Sequence, residues 1–278
     1  MAIDLHTHST ASDGSDRPSQ VVKRAAGLGL NAIALTDHDT LEGIDEAKTA
    51  AQDIGLELIP GVELSLEWSR GGMHLLVLFL PPGHGPLRDR LAELQSGRDE
   101  RNQKMVDVLN SLGMSIDYDE VLTEAGGGSV GRPHIAAVMT RRGHVEDIPA
   151  AFDMWLGKGR PAYVGRTRLQ PEVAITLARQ EGAVPVLAHP HTLGIDSSEE
   201  MATILRRLRQ AGLIGMECHY PIYSPAERSG YADLAHRFEL VPSGGSDYHG
   251  TYKAGIELGV GKGDLMVPDS VLEELRPK

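Results

Sequence analysis

The 278-residue chain holds one cysteine, Cys218, which excludes an internal disulfide and points to a reducing, cytoplasmic setting. Aromatic residues make up only 4% of the chain, too few for an extended platform on which bases could stack. No window approaches the roughly 18 consecutive apolar residues that span a bilayer, so no membrane association is expected. Asp4, His6, His8 and Asp13 interrupt the N-terminal stretch, which does not read as a signal peptide. Positive charge is scarce: 27 Lys and Arg face 39 Asp and Glu, a net charge of −12. Such a surface is unsuited to long nucleic acid, whose binding neutralises many phosphates. It is compatible with a small phosphorylated substrate where metal ions and a few arginines reverse the sign locally.

What the chain does have is histidine and carboxylate at the ends of short apolar runs. His6-Thr7-His8 follows a strand-like segment, and residues two apart on extended backbone share a face, so both imidazoles can reach one ion. Asp13 comes five residues later. His38 follows the run 32–35, Glu63 ends another, His74 opens a third, and His189 follows 184–188. Asp247 and His249 follow Leu240-Val241. Six such stations deliver nine potential ligands, more than one ion needs. Mixed imidazole and carboxylate without thiolate suits manganese, zinc or iron. The surplus points to two or three divalent ions able to activate a bridging water and clamp a displacement at phosphorus. Plainer readings exist for single residues. Asp13 in Ser12-Asp13-Gly14 can be a turn residue, Glu63 can pair with arginine, and Asp39 can cap a helix instead of orienting an imidazole as Asp37 would.

Strand and helix alternate at first: helix 18–28, strand 32–36, helix 41–54 capped at Asp39-Thr40, then β-rich segments 58–66 and 74–80. Alternation of this kind predicts parallel pairing. The Pro- and Gly-rich stretch 81–86 interrupts it, and residues 84–165 read as a mainly helical insertion with a glycine break at 126–128. Alternation resumes with helix 171–181, strand 184–188, helix 198–211, strand 215–218, helix 224–237 and strand 240–242. About seven strands with ligands at their ends predict an α/β fold, a distorted or incomplete β/α barrel formed by 1–83 and 166–278, with its site at one mouth.

Together, His6-x-His8 with Asp13, Thr36-Asp37-His38-Asp39, Gly61-Val62-Glu63, His74, His189-Pro190 and Asp247-x-His249 resemble the full motif set of the PHP (polymerase and histidinol phosphatase) phosphoesterases. The resemblance spans nearly the whole chain. It implies a distorted (β/α)7 barrel with a trinuclear centre, manganese foremost. In that scheme His6, His8, Glu63 and Asp247 hold one ion, Asp13, His38 and His249 a second, and a bridging Glu63 with His74 and His189 a third. Size, insertion and a carboxylate at Asp13, where many PHP proteins have histidine, resemble the stand-alone nucleoside 3′,5′-bisphosphate phosphatases.

Phosphate oxygens call for guanidinium forks and helix N-termini. Gly131-Arg132-Pro133-His134, opening an insertion helix, provides both, and the family has Arg-x-His at this point; a surface arginine and a capping histidine are the alternative. Arg98 and Arg101 fall in the apolar stripe of a long helix, where they either pair with carboxylates or reach the barrel mouth. Arg160 is a candidate for a second phosphate contact. His191 and His219 are candidates for protonating the leaving oxygen, and His219 also for touching substrate. The expected activity is a metal-dependent phosphatase removing the 3′-phosphate of nucleoside 3′,5′-bisphosphates by in-line attack of a metal-bridging hydroxide. The alternative is a 5′→3′ exoribonuclease or phosphodiesterase acting on short oligoribonucleotides or cyclic phosphates. Histidinol phosphatase fits less well, and an amidohydrolase lacks its strand-end lysine. A non-catalytic metal-stabilised module has no use for more than about four ligands.

Overall fold

Nearly every residue of the short strands is buried, as expected where a sheet is covered on both faces. The strands are β1 (Ala2–Thr7), β2 (Ala32–Leu35), β3 (Glu57–Leu66), β4 (Met73–Leu78), β5 (Val184–Leu187), β6 (Gly215–His219), β7 (Val241–Gly244) and β8 (Val267–Pro268). This computed structural model describes residues 2–126, 129–165 and 167–277. Gly127 and Gly128 of the expected glycine break, and Arg166 at the expected return to the barrel, lie outside the described residues. The spatial order is β7-β6-β5-β4-β3-β2-β1-β8. Beyond β7 the chain meets β1: the Asp247 N–H donates to the His6 carbonyl and the His8 N–H to that of Tyr248, each at 2.9 Å. Seven strands thus come round into a distorted barrel, and the two-residue β8 adds antiparallel to β1.

The expectation of parallel pairing fails at β4. β4 runs antiparallel to both β3 and β5, not parallel. The loop between Leu66 and Met73 is too short for a crossover helix, so β3 and β4 form a hairpin. Reversal has a consequence for the site: it brings the start of β4, and with it His74, to the mouth where the other strands end. Ser65 pairs with His74 in this register.

The helices are α1 (Pro18–Gly27), α2 (Ile44–Ile54), α3 (Pro86–Ser111), α4 (Tyr118–Glu124), α5 (Arg132–Arg141), α6 (Ile148–Ala151), α7 (Pro171–Gln180), α8 (Ser198–Ala211), α9 (Pro225–Arg237) and α10 (Asp269–Leu275). α2 starts behind Gly43, not at Leu41, so Asp39 is not its cap. Ile3, Leu5, Ile59, Leu76 and Val186 form one core cluster with Leu272 and Leu275 of α10. Leu64, Leu75 and Leu187 pack in another with Ile175 of α7 and Leu205 of α8. Helices α3 to α6 have a cluster of their own that includes Met105, Leu109, Ile135 and Met139. Tyr252 Oη donates to Glu124 at 2.9 Å, tying α4 to the turn that follows His249. Among the described residues no helix is long and apolar enough to cross a membrane.

Candidate metal centre

All nine expected ligands gather at this mouth. His6, His8, Glu63 and Asp247 form one group of convergent donors, His8, Asp13, His38 and His249 a second, and His38, Glu63 and His74 a third, with donor atoms in each group within 4.8 Å of one another. The first group coincides with the set read from the motifs. The second adds His8, and the third has His38 where His189 was expected. His189 borders the third group, its Nε2 lying 3.0 Å from Glu63 Oε1. Glu63 is central and almost fully buried. Its Oε2 lies 3.1 Å from His6, 3.1 Å from His8 and 3.3 Å from His38, while Oε1 meets His74 at 2.7 Å. Each oxygen therefore faces a different cluster of imidazoles, the disposition of a bridging carboxylate.

The donor set fits divalent cations. Ligands about 2.0–2.1 Å from a tetrahedral metal lie about 3.3 Å apart. Here His249 stands 3.3 Å from both Asp13 and Asp247, and His8 stands 3.4 Å from Asp247. His8 Nδ1 and His38 Nδ1 are buried without a hydrogen-bond partner among the described residues, a costly arrangement that a cation would relieve. Charge tells the same story. Burial alone would raise the carboxyls, yet His38, His6 and His74 hold Glu63 well below the usual range. Lys253 and His6 do the same for Asp247 against its burial. Burial lowers His8, but hydrogen bonds to Asp247 and Glu63 prevail and raise it to about 9. His38 goes the other way: its burial outweighs the charges of Glu63 and Asp13 and lowers it to about 3, leaving a neutral imidazole.

The backbone is shaped to suit. Of the five non-glycine residues with positive φ among those described, Asp39, His189 and Asp247 belong to this region, at 54°, 24° and 52°. Such strain concentrates at functional sites. Gly245 packs against His6 so closely that a Cβ there would fall 2.5 Å from the His6 Cβ. Asp37 and Asp39 hold loops where imidazoles were the expected partners. Asp37 accepts from Ser9 N–H at 2.8 Å and from the Ser12 hydroxyl at 2.6 Å. Asp39 accepts from Ser65 N–H at 3.0 Å and pairs with Arg98 at 2.5 Å.

Beside the cluster opens a cavity of about 210 Å³. Asp13, His38 and His74 form its barrel side, and Arg98, Arg101, Arg132 and Arg168 line it as well. Arg98 and Arg101 thus reach the mouth, and Arg98 makes an ion pair as well. Arg132 packs over the Phe152 ring, 5.4 Å from its centroid. His134 lies behind it, buried, with Nδ1 accepting the Gly131 N–H at 3.0 Å. That bond makes it the capping histidine of α5.

Other expected residues stand elsewhere. Arg160 is exposed and does not line the cavity. The turn before it is anchored by Lys158, whose ammonium donates to the carbonyls of Trp68 and Ser69 at 3.2 and 2.9 Å. His219 ends β6 outside both the ligand groups and the cavity. His191 is near His189, with ring centroids 6.0 Å apart, and its Nδ1 is 2.9 Å from Tyr223 Oη. Burial, then the charges of His189 and Lys253, push it down to about 4.

Three residues, Glu217, Lys253 and Arg168, escaped the sequence reading. Glu217 takes His6 and His189, and Tyr220 and Lys253 both engage Asp247 Oδ2, the tyrosine at 2.5 Å. Arg168 joins the cavity. A lone carboxylate inside the apolar strand β6 was a usable signal for Glu217. Nothing local marked Lys253 or Arg168.

An imidazole–carboxylate cluster at a barrel mouth, opening on an arginine-walled cavity, defines a metal-dependent phosphoesterase. A family model described as the PHP domain matches residues 4–148. The chain is 35% identical over 270 residues to a 5′-3′ exoribonuclease of Haemophilus influenzae, covering 97% of this chain and 96% of that protein. It is 32% identical over 262 residues to the 3′,5′-nucleoside bisphosphate phosphatase of Chromobacterium violaceum, covering 92% and 90%. A solved structure from Bifidobacterium adolescentis, described as a candidate metal-dependent phosphoesterase, superposes with a TM-score of 0.87 at 30% identity, covering 98% of this chain and 94% of that one. The chain belongs to the PHP family.

Proposed function

We propose that the protein removes the 3′-phosphate from nucleoside 3′,5′-bisphosphates. The observation that carries this reading is the cavity: four arginines beside the Asp13, His38 and His74 face. At about 210 Å³ it is smaller than the roughly 300–1,000 Å³ of whole-ligand pockets, so it suits a phosphate group and its immediate surroundings. The similarity to the Chromobacterium violaceum phosphatase supports the choice of nucleotide.

Two or three divalent ions, manganese foremost, are held in this reading by His6, His8, Asp13, His38, Glu63, His74, His189, Asp247 and His249. When bound, they supply Lewis acidity and a water of lowered pKa. The chain's own contribution is orientation and charge. Arg132 and Arg168 donate to non-bridging phosphate oxygens, where charge-assisted forks bind phosphate strongly and hold it in one orientation. Arg98 anchors α3 on Asp39, so residues 84–165 act as an inserted unit that closes one side of the site. The single buried cysteine supports a cytoplasmic location.

A second reading is favoured by one observation, the near full-length similarity to the Haemophilus influenzae exoribonuclease. In that case the same site cleaves short oligoribonucleotides from the 5′ end. The test offers manganese-loaded protein adenosine 3′,5′-bisphosphate and, separately, a labelled dinucleotide. Orthophosphate from the former with the dinucleotide intact supports the phosphatase. Release of nucleoside monophosphate with the bisphosphate untouched moves the assignment to the exonuclease.

A further inference from the structure

Glu217, in β6, is fully buried, and its two oxygens serve two different candidate ligands. Oε1 lies 3.0 Å from His6 Nδ1, and Oε2 accepts the backbone N–H of His189 at 2.7 Å. A carboxylate only accepts, so the His6 proton belongs on Nδ1. That leaves His6 Nε2 facing Glu63 and His8, each 3.1 Å away. The second bond acts at the strained residue of the site. His189 has φ 24° and ψ 70°, a backbone region costly for any residue with a Cβ. A charge-assisted hydrogen bond on its own N–H stabilises that turn, from which its ring reaches Glu63.

We propose that Glu217 is the positioning residue of the metal centre, fixing His6 so that Nε2 is offered to a divalent cation and holding the His189 turn in place. One carboxylate thereby sets two ligands carried on two strands, β1 and the end of β5. The inference rests on the metal-centre reading above and requires no particular substrate.

Glu217→Gln tests it. An amide has one acceptor and one donor where the carboxylate has two acceptors. The His189 N–H is always a donor, so the amide oxygen stays with it and the amide NH₂ turns to His6 Nδ1. His6 must then carry its proton on Nε2, the atom that faces the cluster. Two readouts follow, neither of them turnover. In metal-free wild-type protein, proton NMR shows a slowly exchanging His6 Nδ1–H, and the variant loses it. Equilibrium dialysis against Mn²⁺ alone shows affinity reduced about 10- to 100-fold in the variant, the usual cost of removing a carboxylate behind a ligating histidine. Glu217→Asp keeps the charge at shorter reach and gives an intermediate loss. Absence of the protected His6 proton in wild type overturns the inference without recourse to any variant. Wild type that binds Mn²⁺ no better than Glu217→Gln does overturns it as well. Wild type that binds no Mn²⁺ overturns the metal-centre reading and this inference together.

Discussion

Arg98 carries a guanidinium from α3 onto Asp39, and both side chains are buried. Removing one member of a buried pair costs about 3–5 kcal/mol, because the other charge stays in place. Arg98→Met is therefore expected to lower unfolding stability by that amount in urea titration, with the loss reduced when Asp39 is replaced by Asn in the same chain. Cys218 illustrates the opposite case. Burial and the neighbouring Glu217 charge push its thiol far up, so the reactive thiolate is not populated. Thiol reagents at pH 8 should label Cys218 only after the protein unfolds. At this scale most of the nine candidate ligands were legible because they stand near the edge of an apolar run, whereas Asp13, in the polar stretch 9–16, was legible only through its spacing from His6 and His8. Lys253 was not, and Glu217 was marked only as a carboxylate inside an apolar strand, since the roles of both lie in partners that folding brings to them. Glu217 is 211 residues from His6.

Among the elements, α5 shows how a site residue and a helix signal coincide. His134 is at the third helical position and accepts the Gly131 N–H, which would otherwise be buried without a partner. Glutamine serves the same purpose in a capping box. His134→Gln should keep stability within about 1 kcal/mol of wild type, whereas His134→Ala should lose about 1–3 kcal/mol by leaving that donor unsatisfied. Thermal unfolding of the two variants checks the contrast. Helix α3 and most strands followed from periodicity alone. The direction of β4 did not, because an apolar run reads the same either way, and only the short hairpin loop forbids a parallel crossover. The late start of α2 likewise depends on tertiary contact, since Asp39 is drawn away from capping by Ser65 and Arg98.

Across the whole molecule, a chain of net charge −12 gathers four arginines at one small cavity beside its histidine cluster. In the proposed reading, global repulsion of polyanions and local attraction of one phosphate are compatible on that arrangement, which would limit the size of the substrate more than its class. The barrel was legible from strand–helix alternation, and its closure through Tyr248 and β1 places Asp247 and His249 beside His6 and His8. The arginine wall was legible only in part: Arg132 through its motif, Arg98 and Arg101 through their odd place in an apolar stripe, and Arg168 not at all. Orthophosphate release from adenosine 3′,5′-bisphosphate, followed as metal-free protein is titrated with Mn²⁺, tests the central claim most directly. The account predicts no turnover without metal and activity that rises until two or three ions are bound per chain. Full turnover by the metal-free protein would contradict it.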